Sequence, residues 1–418
     1  MNSTTPTKLW NKNFITYIIG LELNQIATAL LQFSLPLYLL IQTGNPILLS
    51  TILTISALPP IITSPIGGVV ADKFNKRKMM AGVNVLIALI TIAYIGFAQA
   101  LDFVLSIVIL LMLLESFVAF MSPATEAAVP ILVPEEDLMK ANSVNFLLSI
   151  FSGVGAPLIA GFMMERQGIL PVLVLSIVFY IIAGGITYLT EIPFEKQEII
   201  KNIFALVGDD LKDGFLYVIR ENKTHRKILM SSTLFMLVFG PIIGLILPVL
   251  VTNYFNMGET SNGVIRSIVV FGASFSVILG GRLGKKANIY KLRQLIFYSS
   301  FALIPSIISF GLFGDGIISL ILLIASLFVV WTLLTLYLLV LWTYIGSETP
   351  YEIMGKVFSL FMALTALGPI LSNHLFGMLL DYFIDNPYFI LGVIAGAGAL
   401  VAVITNIKEE KKGGFDYD

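Results

Sequence analysis

Residues Phe103–Ala128 read FVLSIVILLMLLESFVAFMSPATEAA, an apolar run whose only charged side chains are Glu115 and Glu126. A helix needs roughly 20 largely apolar residues to cross the hydrocarbon core of a bilayer, and this run is long enough. We therefore predict a membrane-spanning helix here. Its two carboxylates stand out, because ionisable groups at membrane depth are costly and usually face a cavity.

Runs of the same character fill most of the sequence. The chain has 418 residues, of which 57% are hydrophobic and 12% are charged, whereas roughly 25% of the residues of a soluble domain are charged. The apolar surplus predicts an all-α integral membrane protein. Twelve runs are long enough to span a membrane: Phe14–Ile41, Ile47–Ala71, Met79–Ala98, Phe103–Ala128, Ala141–Met164, Ile169–Leu189, Ile228–Tyr254, Asn262–Leu283, Leu295–Leu312, Ile317–Ile345, Val357–Leu380 and Pro387–Ile407.

The longest link divides the chain in two. Most links between the predicted spans are very short, whereas residues 190–227 form a long, charged stretch. We predict an N-terminal six-helix bundle over residues 1–189 and a cytoplasmic linker with an amphipathic helix over residues 190–227. A C-terminal six-helix bundle with a short cytoplasmic tail takes up residues 228–418.

Basic residues are distributed unevenly between the two sides of the membrane. If both termini are cytoplasmic, 23 of the 25 Lys and Arg residues fall on the cytoplasmic side, and only Arg166 and Arg266 fall outside. Lys and Arg favour cytoplasmic loops, and one miscounted span would invert every later loop. The distribution supports the count of twelve and predicts a multi-pass plasma-membrane protein with both termini in the cytoplasm.

Three short segments recur in the second half of the chain at nearly one separation. Such echoes indicate that the last six helices repeat the first six in the same membrane orientation. The pairs are Gly67–Lys73 with Gly280–Lys286, Pro134–Lys140 with Pro350–Lys356, and Pro157 with Pro369.

The link after the second span carries a glycine, an acidic residue and a basic cluster. It reads Gly68-x-x-x-Asp72-Lys73-x-Asn75-Lys76-Arg77-Lys78. This pattern resembles the motif between helices 2 and 3 of the major facilitator superfamily, usually Gly-x-x-x-Asp-Arg-x-Gly-Arg-Lys. The resemblance implies two pseudo-symmetric six-helix bundles.

The same resemblance implies a conformational latch formed by Gly68, Asp72, Lys73 and Arg77. Gly68 would let a neighbouring helix approach closely. Asp72 would meet the positive end of helix 11 near Gly355 and hold the cytoplasmic side closed. The alternative is that the basic residues only fix the topology.

Further stretches resemble one branch of that superfamily. The segments from Ser122 to Ser143 and from Asp210 to Lys223 are similar to the bacterial macrolide-efflux branch of the proton-coupled drug exporters. The resemblance implies a bacterial secondary transporter that exports amphiphilic or cationic small molecules by alternating access, with protons as the coupling ion.

A proline motif in the fifth span partly matches exporters. Ala156-Pro157-x-x-Ala160-Gly161 resembles Gly-Pro-x-x-Gly-Gly with two glycines replaced by alanine, and Gly368-Pro369 keeps the pair in the eleventh span. We interpret Pro157, Gly161, Gly368 and Pro369 as gate or helix-packing residues. Ordinary packing of small residues explains helix 5 equally well.

Glu22 and Glu115 are the candidate proton carriers. At 1.5 Å per residue, Glu22 lies roughly 12 Å from the cytoplasmic start of its span. Glu115 lies about 18 Å below the outer end of its own, so the two share a depth in a core about 30 Å thick. The resemblance implies that helices 1 and 4 line one side of a central cavity. We interpret the pair as exchanging a proton and attracting cationic substrates, although a hydrogen bond from Glu22 to a neighbouring helix, helped by Asn24 and Gln25, is the alternative.

Other side chains in the spans are secondary candidates. Drug exporters often carry an Arg in helix 4, and this sequence has none there. Glu126 is interpreted as a gate or interfacial residue, and Trp331 and Tyr337 as an aromatic cavity wall. Of the two histidines, His225 lies in the linker and His374 in the eleventh span, where we expect a packed hydrogen-bonding role.

The sequence argues against several classes of function. It contains no phosphate-binding Gly-Lys-Ser/Thr loop, no hydrolase elbow, no His-rich metal cluster and no Cys, so we expect neither an enzyme nor any cofactor or metal. A formal net charge of -1 indicates no nucleic-acid partner. The expected partners of this monomer are a small-molecule substrate, protons and the lipid bilayer. A proton-coupled importer or lipid flippase on the same fold, and a membrane sensor without turnover, remain open.

Overall fold

The computed structural model describes residues 8–97, 100, 102–194, 208, 212–283, 289–350 and 353–405. Twelve helices in this part of the chain are long and apolar enough to cross a membrane. We label them α1 to α12 in chain order: Lys12–Thr43, Pro46–Ala71, Lys76–Phe97, Phe103–Leu132, Glu135–Gln167, Leu170–Leu189, Lys223–Tyr254, Glu259–Gly280, Lys291–Phe313, Ile317–Glu348, Met354–Tyr382 and Pro387–Ile404.

Each predicted span corresponds to one of these helices, and the differences lie at the ends. The fourth helix runs to Leu132 rather than Ala128, and the seventh begins at Lys223 rather than Ile228. Helices continue past the hydrocarbon core as long as their backbone groups find partners, so hydropathy underestimates their length. The all-α twelve-helix fold class is confirmed.

Local sequence explains where several helices begin and end. The Asn11 side chain accepts a hydrogen bond from the backbone N–H of Phe14 and caps α1. The same helix ends at Gly44, whose φ of 61° suits glycine. Asn45 caps α2, and Pro46 occupies its first turn, where the missing N–H costs nothing.

The second and seventh spans depart from regular α-helical geometry within the part of the chain that the structure describes. The second span is interrupted at Ala57, just before Pro59 and Pro60. The seventh contains two π-helical segments, Ile242–Ile246 and Leu250–Tyr254, on either side of Pro248. Proline removes a backbone donor, and wider turns accommodate the change. The irregular turns of α7 face the first half of the chain.

The packing of the helices repeats in the two halves. In the first half α1 packs on α5 and α6, α2 on α4, and α3 on α6. In the second half α7 packs on α11 and α12, α8 on α10, and α9 on α12. Each pair recurs six helices later, which is the pseudo-symmetry expected of a duplicated bundle. Across the halves, α5 packs on α8 and α2 on α11.

The linker is only partly described. Residues 212–216 are helical and continue into a π-helical turn, Tyr217–Glu221. Most of the predicted amphipathic helix lies outside the described residues. The division at residues 190–227 remains a prediction.

Candidate transport pathway

A polar face runs along the first helix. Glu22, Gln25 and Gln32 follow one another at intervals of three and seven residues, so they lie on one side of α1. All three side chains are half-buried.

Glu22 has no hydrogen-bond partner in the described part of the chain. Both of its carboxylate oxygens are buried, and neither contacts a donor among the residues that the structure describes. Burying an ionisable group without a partner is costly in a protein interior or a membrane. The group is therefore the clearest unexplained polar feature of the first bundle.

Glu115 lies in a different environment. The Gln32 Nε2 atom donates a hydrogen bond of 2.8 Å to Oε1 of Glu115, which joins α1 to α4. The hydroxyls of Thr28 and Tyr180 share a second bond of 2.8 Å close by, and this bond extends the polar cluster to α6.

The two carboxylates do not share a depth, and that prediction is wrong. Glu115 bonds to Gln32, which lies ten residues beyond Glu22 in the same helix, or about 15 Å along its axis. The error arose because the depth of Glu22 was measured from the cytoplasmic start of its helix, and this helix has 32 residues. Such a helix is about 48 Å long and extends well beyond a 30 Å core.

Asn24 and Gln25 do not assist Glu22. The Asn24 amide donates a 2.6 Å bond to Asn84 and fastens α1 to α3. The Gln25 carbonyl accepts a bond of 3.4 Å from Ser152 in α5. The alternative that these residues tether Glu22 is therefore not supported by the geometry.

The predicted aromatic wall is divided. Tyr337 is fully buried, its hydroxyl lies 3.0 Å from that of Ser232, and its ring packs on Phe235. It belongs to the packed core between α7 and α10 and not to a cavity wall, because that helix face is turned toward α7. Trp331 is half-buried, and its ring N–H has no partner among the described residues.

Arg266 is the residue that the sequence reasoning missed. It was assigned to the outer side, although it lies within the predicted eighth span, and the structure places it inside α8. Its guanidinium lies 5.4 Å from the ring centre of Phe33 in α1. A charged residue inside an apolar run was the available signal, as it was for Glu22.

The halves meet tightly at one end of the bundle, which is the external end if the termini are cytoplasmic as predicted; we call this region the outer seal. It comprises the contacts of α5 with α8 and of α2 with α11. A Cβ atom on Gly161 would come within 2.5 Å of the Glu259 carbonyl oxygen, and one on Gly263 would overlap the Pro157 carbonyl. The small residues therefore allow backbone contact between α5 and α8.

Polar contacts reinforce the outer seal. Oε2 of Glu165 accepts a 2.9 Å bond from the backbone N–H of Thr260, in the first turn of α8. A carboxylate suits this position because the first backbone N–H groups of a helix lack intrahelical partners. His374 also lies here, with Nδ1 3.4 Å from the Thr51 hydroxyl.

The second proline pair lies within one bundle. A Cβ on Gly368 would come within 2.6 Å of the Leu237 backbone nitrogen, and Pro369 packs against Gly240. These residues bring α11 close to α7. Their geometry fits the packing interpretation more closely than the gating one.

The loop motif differs from expectation at its glycine. A Cβ on Gly67 would overlap the backbone carbonyl of Phe120 in α4, whereas one on Gly68 would only touch Pro123 at 4.0 Å. The close approach predicted at Gly68 therefore occurs at Gly67. Arg77 lies over the Tyr188 ring at 5.2 Å.

The latch itself stays a prediction. The side chain of Asp72 lies outside the described part of the structure, and Lys73 is half-buried. Glu126 is exposed near the end of α4 and accepts a bond of 3.3 Å from Ser122.

An ion pair ties the linker to the second bundle. Nζ of Lys356 donates a bond of 2.6 Å to Oδ2 of Asp213. This hydrogen bond and the positive charge of the lysine lower the pKa of the Asp213 carboxyl. His225 is buried beside this junction, with Nε2 3.0 Å from the Thr349 hydroxyl.

Among the described residues, no group of three or more His, Cys, Asp or Glu side chains is placed to hold a metal ion. The charged groups that we assign to the pathway are Glu22 and Glu115 in the first bundle and Arg266 in the second.

Comparison with known proteins gives consistent results. Residues 18–373 match the family model described as Major Facilitator Superfamily. Macrolide efflux protein A of Streptococcus pyogenes is 28% identical over 296 residues, which cover 70% of each chain. Enterobactin exporter EntS of Shigella boydii serotype 4 is 23% identical and covers 84% of this chain and 81% of its own.

Solved structures share the fold. A D-xylose-proton symporter superposes with a TM-score of 0.75 at 16% identity, covering 96% of this chain and 98% of its own. The nucleoside transporter NupG gives a TM-score of 0.75 at 14% identity and covers 94% and 99%.

Proposed function

Because the chain belongs to the Major Facilitator Superfamily, and is a transporter rather than an enzyme, we propose that it exports amphiphilic or cationic small molecules in exchange for protons. The efflux direction and the drug-like substrate follow the names of the macrolide efflux and enterobactin export relatives. Alternating access supplies the mechanism, in which the two bundles rock about a site near the midplane.

The observation that carries proton exchange is the unpartnered carboxyl group of Glu22 on the polar face of α1. A carboxyl group that passes between a water-filled cavity and a dry interface during transport changes its preference between charged and neutral forms. Such a change couples proton binding to the conformational cycle. Its position on α1, which contacts the rest of the first bundle, lets the whole bundle respond.

The Gln32–Glu115 pair supplies a second polar site farther along the same helix face. Its amide and carboxylate would bind polar or cationic groups of the substrate. Because the pair joins α1 to α4, and the neighbouring Thr28–Tyr180 bond joins α1 to α6, substrate binding there would act on the helix that carries Glu22.

The outer seal supports a cycle in which access alternates. If the termini are cytoplasmic, the seal closes the external side, as an inward-facing state of the cycle requires. In the opposite state the latch of Gly68, Asp72, Lys73 and Arg77 would close the cytoplasmic side, and the small residues Pro157 and Gly161 would separate from α8.

Flux in proteoliposomes tests the proposal. In inside-out vesicles with an acidic lumen, proton-coupled efflux should drive radiolabelled erythromycin, a macrolide, into the lumen. Glu22→Gln should strongly reduce this accumulation, whereas Glu136→Gln, which alters an exposed carboxylate in the first turn of α5, should not. Accumulation that ignores the pH gradient, or that survives in Glu22→Gln, would contradict the proposal.

The same vesicles separate the alternatives. Uptake into right-side-out vesicles driven by external acid would indicate an importer. Transfer of labelled phospholipid between leaflets would indicate a flippase. Saturable binding without flux would indicate a sensor.

A further inference from the structure

We propose that Arg266 binds an anionic group, a carboxylate, sulfonate or phosphate, of the transported molecule, in the cleft where α1, α7 and α8 meet. The inference deepens the proposed function, because it adds an anion-binding group to a pathway that otherwise offers carboxylates, and so favours amphiphilic substrates that carry an anionic group. Only the identification of the bound molecule as the transported substrate rests on the proposed function. Binding of an anion to Arg266 is measured separately from transport.

The cleft lies between the two bundles. Phe33 and Leu37 of α1 form one wall, Ile243 and Leu247 of α7 form another, and Arg266 of α8 faces them. The walls are apolar apart from Arg266 and Asn262. The cleft is narrow in this state, so a bound group reaches Arg266 only where the two bundles have moved apart.

Arg266 forms no ion pair with the residues that the structure describes, and its Nε atom is buried without a hydrogen-bond acceptor. The neighbouring Asn262 does not help, because its amide donates to Thr252 and to the Gly258 carbonyl.

The ring of Phe33 does not replace a counter-ion. A cation–π contact at 5.4 Å is favourable, but it is much weaker than the cost of removing a guanidinium from water. A planar fork of N–H donors is suited to bidentate contact with a carboxylate, sulfonate or phosphate. A bound anion would supply the missing acceptors and the missing charge together.

The position between bundles gives the site a role in transport. Arg266 follows the contact region of α5 with α8, where Gly263 meets Pro157. When the bundles separate at the outer seal, Phe33 and Arg266 lie on opposite sides of the opening. This movement widens the cleft, so an anion that binds Arg266 there would be exposed to the outer side and released into water.

The test compares three probes that share one ring system and differ in charge: 2-naphthalenesulfonate, 2-naphthalenemethanol and 2-naphthylmethylammonium. Binding is measured by isothermal titration to the full-length protein in phosphatidylcholine nanodiscs, without a pH gradient and with empty nanodiscs as blank. We expect the sulfonate to bind at least about tenfold more tightly than the alcohol, as a charge-assisted bond requires.

Variants assign the effect to the residue. Arg266→Gln should reduce the affinity for the sulfonate to that for the alcohol, and Arg266→Lys should retain part of the difference. Arg166→Gln is the matched control, because Arg166 also lies over a phenylalanine ring, Phe162, but is exposed. Its affinities should match those of the parent protein.

Equal affinities for the three probes in the parent protein, or an unchanged sulfonate preference in Arg266→Gln, would overturn the inference. If Arg266→Gln fails to fold, the parent protein and Arg266→Lys still decide it. Failure of pH-driven erythromycin flux with an intact sulfonate preference would refute the proposed coupling and leave this site standing. Normal pH-driven erythromycin flux without a preference for the sulfonate would refute the Arg266 site and leave the proposed coupling standing.

Discussion

Gln32 donates a 2.8 Å hydrogen bond to Glu115, and this single contact separates the two candidate carboxylates of the pathway. Glu22 precedes Gln32 by ten residues on α1, so about 15 Å of helix lies between the sites. Two charges so far apart do not act as one proton-sharing pair. Glu22 and Glu115 therefore have distinct environments and, in the proposed cycle, distinct tasks.

The separation predicts independent effects on transport. Sites more than about 7–10 Å apart with no shared partner usually contribute additively in free energy. If Glu22→Gln and Glu115→Gln each reduce pH-driven flux about tenfold, the double variant should lose about a hundredfold. The measurement is the initial rate of erythromycin accumulation in proteoliposomes, normalised to reconstituted protein. A double variant no worse than the more damaging single variant would restore the paired interpretation.

Gly67 and Gly68 form a matched pair for a stability test. Gly67→Ala places a methyl group against the Phe120 backbone and must push α2 from α4, whereas Gly68→Ala only meets Pro123 at 4.0 Å. Overpacking of this kind typically costs about 1–3 kcal/mol, and a tolerated substitution stays within about 0.5 kcal/mol. Thermal unfolding in detergent should show a lower midpoint for Gly67→Ala alone. Equal midpoints would mean that the two helices can move apart freely.

This pair also shows what the sequence could and could not predict. The motif beginning at Gly68 located the loop and indicated the family, because spacing along the chain is visible in a sequence. Which glycine meets the neighbouring helix depends on the rotation of α2 about its axis. The faces of α2 differ little in hydrophobicity, so the sequence does not determine that rotation.

For the pathway residues, too, the sequence predicted the helices correctly but not the neighbours of each side chain. Hydropathy identified all twelve spans, since each must cover a fixed thickness. The depth of Glu22 was misjudged because helix length beyond the membrane is not encoded in hydropathy. Tyr337 was taken for a cavity residue because the sequence does not say which neighbour an aromatic ring meets, here Ser232 and Phe235.

The orientation of the chain is open to a labelling experiment. The native sequence has no Cys, so single cysteines give a clean background. Cysteines replacing Gln42 and Asp315 should react with an impermeant maleimide on intact cells, whereas those replacing Lys78 and Lys212 should react only after lysis. Gln42 is a better site for cysteine than Gly44, two residues further on, because Gly44 has a φ of 61° that would strain any other residue. Labelling of Lys78→Cys on intact cells would invert the predicted orientation.

The Asp213–Lys356 ion pair predicts how pH affects the linker. A carboxyl group whose pKa is lowered in the folded protein contributes stability above its ordinary pKa and loses it as the pH falls through the lowered value. The ordinary value here is 3.8. A spin label at Phe215→Cys should therefore keep its mobility constant from neutral pH down to that value and become more mobile only below it.

Asp213→Asn is the control for that measurement. It should give the mobile spectrum at every pH, because the amide carries no charge for Lys356 to hold. Circular dichroism at each pH checks that the helices remain folded. Identical spectra for Asp213→Asn and the parent protein at neutral pH would show that the ion pair does not anchor the linker.

The two ends of the protein should respond oppositely to loss of a carboxylate. Glu165→Gln weakens the bond to the Thr260 N–H at the outer seal and removes a negative charge from the start of α8, where a helix attracts anions. It should raise the population that is open at the seal. Asp72→Asn removes the acidic group of the proposed latch and should raise the population that is closed at the seal. A bias of about 1.4 kcal/mol changes the ratio of the two states about tenfold.

Distances between two spin labels, measured by pulsed electron resonance, report the populations that are open and closed at the outer seal. The native chain has no Cys, so the labels attach only at the introduced cysteines. Labels at Thr43→Cys and Asn386→Cys report the outer seal, because α1 ends and α12 begins there. The long-distance fraction should increase in Glu165→Gln and decrease in Asp72→Asn.

Glu259→Gln is the matched control: it alters an acidic residue in the same first turn of α8, whose backbone but not whose carboxylate takes part in the described contacts at the seal. If Glu165→Gln and Glu259→Gln shift the distribution equally, the effect belongs to the general charge of the outer surface. If Asp72→Asn and Glu165→Gln shift it in the same direction, the two carboxylates do not stabilise opposite states, and the latch assigned to the loop after α2 is wrong.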